Sequence, residues 1–137
     1  MKLKIGDTFV RSFNVTNDIV VGFAKYTFDQ NPVHLDEEYA KNTMFKNRIA
    51  HGFLVGSFIS AVLGNDFPGQ GTIYIKQELN FKRPVFIDDC ISVVVKVVNF
   101  TDRGWVELET ICKNQDDIIV LSGFALVIPP SETVLVS

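Results

Sequence analysis

The stretch FDQNPVHLD, Phe28 to Asp36, places an aspartate, an asparagine-proline pair and a histidine within six residues, and the second histidine of the chain, His51, follows 17 positions later in RIAHGFL. A carboxylate and an imidazole aimed at one water molecule can share its deprotonation and the delivery of a proton to carbon. Asp29 and His34 lie at most about 17 Å apart in an extended chain, and the intervening Asn31-Pro32 turn folds the segment back so that both face one point. A plainer reading stands beside this one. Asn31-Pro32 initiates a turn, Asp36 caps a helix, and His34 is a hydrogen-bonded or exposed loop side chain.

His51 and Gly52 open a second line of chemistry. Glycine is tolerated at a helix start, and His51 satisfies a polar group there in the structural reading. In the chemical reading, the first N–H groups of an apolar helix, unobstructed at Gly52, form a donor site for a developing oxyanion, such as that of a thioester carbonyl. Ser57 and Ser60 lie on the same helix, where buried serines commonly bond a carbonyl one turn back. No metal site is expected, because the two histidines are far apart in sequence and no HExxH motif or Cys/His cluster accompanies them. GNDFPGQG lacks the spacing of a phosphate-binding glycine loop, and VGSFI lacks the second glycine of a nucleophile elbow.

These residues need elements to hold them. VTNDIVVGFAKYTF offers Thr16 or Asn17 as a cap and then Ile19, Val20, Phe23 and Ala24 at amphipathic spacing, which predicts a helix after a short opening strand. DEEYAKNT predicts a second, short helix with Asp36 as its cap and two glutamates in its first turn. The catalytic candidates fall between them. AHGFLVGSFISAVLG, Ala50 to Gly64, carries no charge and is apolar on every face, so it is expected to be buried throughout. It is too short to cross a bilayer, which takes roughly 20 residues. The β-branched runs GTIYIKQELNFKRPVF, CISVVVKVVNF, GWVELETICKN and DIIVLSGFALVI, separated by Asp102-Arg103-Gly104 and Asn114-Gln115-Asp116, predict successive antiparallel strands. An α+β hot dog arrangement follows: a curled sheet of about five strands around one apolar helix.

The chain's 137 residues make one domain, 1–137, without repeats or linkers, and 47% hydrophobic residues with 12 phenylalanines supply its core. A net charge of −3 and scattered Lys and Arg argue against nucleic acid as a partner. Cys90 and Cys112 share no CxxC spacing and sit in apolar strands, so buried thiols in a reducing compartment are expected. MKLKIGDTFVRSF has no signal-peptide core, and the expected location is the cytoplasm. Exposed edges of a lone sheet favour a homodimer.

DQNPVHLD followed by RIAHGFLVGSFISAVLG and PGQGTIYIKQELNFKRPVF resembles the MaoC-like hydratases, specifically the (R)-specific enoyl-CoA hydratases, over most of the chain. The family motif falls on Asp29, Asn31, Pro32, Val33 and His34. The resemblance implies reversible hydration of a trans-2-enoyl-CoA to the (R)-3-hydroxyacyl-CoA. Asp29 and His34 would activate the water, the Gly52 N–H would polarise the thioester carbonyl, and Ser60 would lie near the pair. It implies no cofactor beyond the CoA thioester substrate, and an active site near a subunit interface. Arg48, Lys82 and Arg83 are candidates for the CoA phosphates at the tunnel mouth. Many members carry Ser-Gly before the aspartate. This chain has Thr27-Phe28, a departure expected to bear on the pocket's shape. The same fold also hosts acyl-CoA thioesterases and non-catalytic acyl-CoA-binding or lipid-binding proteins, which remain the alternatives.

Overall fold

In the computed structural model, which describes residues 1–137, the chain opens with β1 (Lys2–Lys4) and β2 (Thr8–Asn14). These are two strands where one was expected, because Gly6 at φ +97° turns the chain between them. Helix α1 (Asn17–Thr27) takes Thr16 as its cap, with the Thr16 hydroxyl accepting the Ile19 N–H at 3.2 Å. Val20 and Ala24 bury its inner face. Next comes a one-turn helix, α2 (Pro32–Leu35), where the Asn-Pro pair predicts only a turn. Asn31 Oδ1 accepts the Val33 N–H at 3.2 Å and Pro32 supplies the helical φ at the first position, so the Asn-Pro pair starts a helix here. Asp36 then caps α3 (Glu37–Lys41) by accepting the Tyr39 N–H at 3.1 Å.

The long helix α4 (Gly52–Asn65) buries Leu54, Val55, Phe58, Ile59, Val62 and Leu63 against the sheet. Each fully buried side chain of this size contributes roughly 1.5–3 kcal/mol. The expectation that α4 is covered on every face is corrected: Phe53, Ser57, Ser60 and Gly64 form an exposed stripe along it. The sheet has one concave face, which covers one side of a helix and leaves the other open in a single chain.

Six further strands complete the molecule: β3 (Ile73–Gln77), β4 (Asn80–Phe81), β5 (Cys90–Phe100), β6 (Val106–Lys113), β7 (Ile119–Ile128) and β8 (Val134–Val136). The main sheet is antiparallel in the order β2-β5-β6-β7-β3, with β4 also on β7, while β1 and β8 form a small parallel pair. Ile91, Val93, Val95 and Val97 of β5 and Val106, Leu108 and Cys112 of β6 alternate into the core at zero exposure. Only Cys112 of the two cysteines is fully buried, and burial pushes its thiol up to about 12; Cys90 is half-buried.

The single strand expected in GTIYIKQELNFKRPVF is broken into β3 and β4. The register shifts between Tyr74 and Lys76, and the chain at Glu78 then crosses Gly123, where a Cβ would sit 1.8 Å from the Glu78 carbonyl oxygen. Leu79 drops onto Gly56 of α4, its Cδ1 3.2 Å from the place a Cβ would take. Two glycines thus let the sheet edge seat itself on the central helix, and β4 is carried over the start of α4. No helix is long and apolar enough to cross a membrane.

Candidate active site

Helix α1 ends at Phe28, which adopts a left-handed φ of 68°, and the reversal projects Asp29 to the surface. Asp29 Oδ1 accepts the Asn31 N–H at 3.3 Å, holding the carboxylate against the turn that begins α2. His34 sits on α2, buried, with Nδ1 2.7 Å from the Ile49 carbonyl oxygen. A carbonyl only accepts, so Nδ1 carries the proton and Nε2 holds the lone pair. The one side-chain hydrogen bond of His34 is this one through Nδ1, which leaves Nε2 without a protein partner, and the ring lines a pocket of about 610 Å³. Burial holds the His34 pKa below its ordinary 6.5; the Ile49 bond opposes that, His51 adds to it, and Asp29 opposes it. The imidazole is therefore neutral at pH 7.

His51 stands at the cap position of α4 and makes no cap bond. Its Nε2–H is donated instead to the Asp29 carbonyl oxygen at 3.0 Å, and its ring stacks on His34 with centroids 3.8 Å apart. The Leu54 and Val55 N–H groups turn back to the His51 carbonyl, at 3.1 and 3.3 Å. The Gly52 and Phe53 N–H groups keep no partner and border the same pocket. A Cβ at Gly52 would meet the Phe81 ring at 2.7 Å, so only glycine fits beneath that ring as it lies. Phe81 in turn meets Phe53 edge-on at 6.0 Å.

One carboxylate oxygen of Asp29 and one nitrogen from each histidine lie within 4.8 Å of one another. That set has the composition of a metal site but not the geometry of one. The His34 and His51 rings are stacked 3.8 Å apart with planes only 27° from parallel, so lone pairs lying in those planes do not converge closely on one point as a tetrahedral ion needs. What the arrangement offers is a neutral base beside a carboxylate, with two free N–H donors bordering the same pocket.

A family model described as MaoC like domain matches residues 4–116. The chain belongs to the MaoC-like family. It is 43% identical over 95% of its length, and 83% of the relative's, to the 3-hydroxybutyryl-CoA dehydratase of Methylorubrum extorquens. It is 36% identical over 93% of its length, and 89% of the relative's, to the (R)-specific enoyl-CoA hydratase of Rhodospirillum rubrum. Among solved structures, the unliganded R-hydratase of Pseudomonas aeruginosa superposes with a TM-score of 0.92 at 38% identity, covering 95% of this chain and 84% of that one. The (R)-hydratase of Aeromonas caviae gives 0.91 at 35% identity, covering 93% and 98%. The hot dog fold is thereby the fold of this MaoC-like chain.

The remaining candidates are distributed unevenly about the MaoC-like site. Asn31 caps α2, and its carbonyl accepts the His34 N–H at 3.0 Å. Lys82 and Arg83 line the pocket, whereas Arg48 does not. The Arg48 guanidinium is committed internally: Nε donates to the His34 carbonyl at 2.7 Å and Nη2 to Asn17 Oδ1 at 2.8 Å. Ser60 lies on the exposed stripe of α4, outside the pocket, and the Ser57 hydroxyl donates to the Leu54 carbonyl at 2.6 Å. Phe28 does not line the pocket; its ring is 85% exposed. The expected effect of Thr27-Phe28 on pocket shape is thus corrected, since the substitution falls on backbone conformation: the left-handed φ explains why glycine suits that position. Phe81 has no signal in the sequence beyond an aromatic beside two basic residues, Lys82 and Arg83.

Proposed function

We propose that this MaoC-like protein is an (R)-specific enoyl-CoA hydratase that reversibly adds water to a trans-2-enoyl-CoA, giving the (R)-3-hydroxyacyl-CoA. In coarser terms it is a hydratase/dehydratase, a carbon–oxygen lyase, as are the relatives it matches. The observation that carries the finer reading is the neutral His34, Nε2 unpartnered, beside the Asp29 carboxylate at a pocket whose wall presents two free helix N–H groups.

The chemistry follows from those placements. The Gly52 and Phe53 N–H groups donate to the thioester oxygen and stabilise the negative charge that gathers on it, which makes Cβ electrophilic and lets an enolate form across Cα. Asp29 holds one hydrogen of the water. His34 Nε2 takes the other as the water oxygen bonds to Cβ, and the imidazolium then returns its proton to Cα, so that one water is added and both side chains end as they began. Val55, Val85, Val120 and Leu121 give the acyl chain an apolar wall, and Lys82 and Arg83 at the rim suit the phosphates of CoA.

A homodimer completes this reading. β3 is a sheet edge, and Ile73 (55% exposed), Ile75 (44%) and Phe53 (69%) leave apolar surface uncovered along that edge and on α4. Turnover of crotonyl-CoA tests the activity: the enoyl-thioester absorbance should fall without release of free thiol. Thiol release would support a thioesterase, and binding without either change a non-catalytic acyl-CoA protein.

A further inference from the structure

We propose that His51 is the positioning residue of this site, tying the Asp29 main chain to the start of α4 and stacking the His34 ring into place. This rests on reading Asp29 and His34 as the water-activating pair. A residue serving helix stability alone at this position would be Ser, Thr, Asp or Asn, with an oxygen folded over the first N–H groups. His51 instead leaves α4 without a side-chain cap, is 2% exposed, and keeps Nδ1 buried without any hydrogen-bond partner. Those are two losses for the fold. Both have a counterpart in the site.

The Nε2–H bond to the Asp29 carbonyl fixes His51 in one tautomer and links the loop carrying the carboxylate to the helix carrying the free N–H donors. The uncapped helix start is what leaves the Gly52 and Phe53 N–H groups available. The His51 ring stacks on His34 at 3.8 Å and meets the tilted Phe23 ring at 4.8 Å, contacts that restrain both imidazoles. The charged and titratable groups around His34 are Asp29 from the loop after α1, His51 from the start of α4, Arg48 on its carbonyl, and Lys82 and Arg83 on the pocket wall. Of these, His51 is the one in ring contact.

Two variants separate the two contacts. His51→Phe keeps an aromatic ring for stacking and loses the donor to Asp29; His51→Gln keeps an N–H at the same reach and loses the ring. With His51→Phe, kcat for crotonyl-CoA hydration should fall on the order of 10²-fold with KM little changed, as expected for a misplaced catalytic group. His51→Gln should recover about tenfold of that loss. Wild-type kcat in His51→Phe, or a His51→Gln protein no more active than His51→Phe, would overturn the proposal. Where His51→Phe does not fold, His51→Gln decides alone: a kcat about tenfold below that of the unsubstituted protein with KM little changed is expected, and an unchanged kcat, or a loss confined to KM, would overturn the positioning role. Absence of hydratase activity in the unsubstituted protein would instead count against the functional reading itself.

Discussion

At the residue scale, the Asp29–His34 pair was legible from spacing because the relevant contacts are local: a turn of five residues brings the two together whatever surrounds them. The parts played by His51 and Arg48 were not legible in the same way. Both depend on a segment far along the chain returning to the loop, His51 to the Asp29 carbonyl and Arg48 to the His34 carbonyl. Asp29→Asn or His34→Ala should lower kcat for hydration by roughly 10²-fold or more with the fold retained, as judged by circular dichroism. Since the two act on one water, the double variant should lose little beyond the worse single one; losses that multiply would indicate separate roles. The pH dependence follows from the His34 environment. Burial holds its folded-state value below 6.5, so the unfolded chain takes up this proton first as pH falls. Stability through His34 is therefore full above about 6.5 and is lost as pH drops through that value toward the folded-state one. Activity should follow the same group, with the acid limb of kcat/KM centred below 6.5, which a pH–rate profile on crotonyl-CoA would read directly.

At the element scale, caps and strand alternation translate into structure with little loss. Thr16 and Asp36 each accept the N–H that a cap should accept, and β5 spans Cys90–Phe100 as its β-branched run predicted. What did not translate is the break between β3 and β4. A run of β-favouring residues gives no sign that the partner strand carries a glycine at the crossing point. Gly123 is that residue, and a methyl group there would collide with the Glu78 backbone rather than with a movable side chain. Gly123→Ala should destabilise the protein by about 3 kcal/mol, at the upper end of overpacking costs, measured by urea denaturation. An unchanged midpoint would mean that the edge strand relaxes freely. Leu79 would then not be needed to seat β4, and with it Phe81, over the start of α4.

At the scale of the whole molecule, the uncharged sequence of α4 announced burial correctly but not by what. The sheet of one chain covers the Leu54, Val55, Phe58 and Ile59 side, and the Phe53, Ser57, Ser60 and Gly64 side faces outward. In the homodimer proposed above, a second copy would supply the missing cover. Sedimentation equilibrium should return twice the 15.4 kDa chain mass, and Ile75→Lys on the exposed edge should shift the protein toward monomer; a wild-type monomer at assay concentration would contradict this. The proposed chemistry has Asp29 and His34 working on one water from one side of a substrate whose carbonyl is fixed by the α4 N–H groups. Hydrating crotonyl-CoA in heavy water, then determining product configuration by chiral chromatography and the position of deuterium by proton NMR, puts this to trial. The expected product is (R)-3-hydroxybutyryl-CoA with deuterium and oxygen added to the same face. An (S) product, or addition to opposite faces, would contradict it.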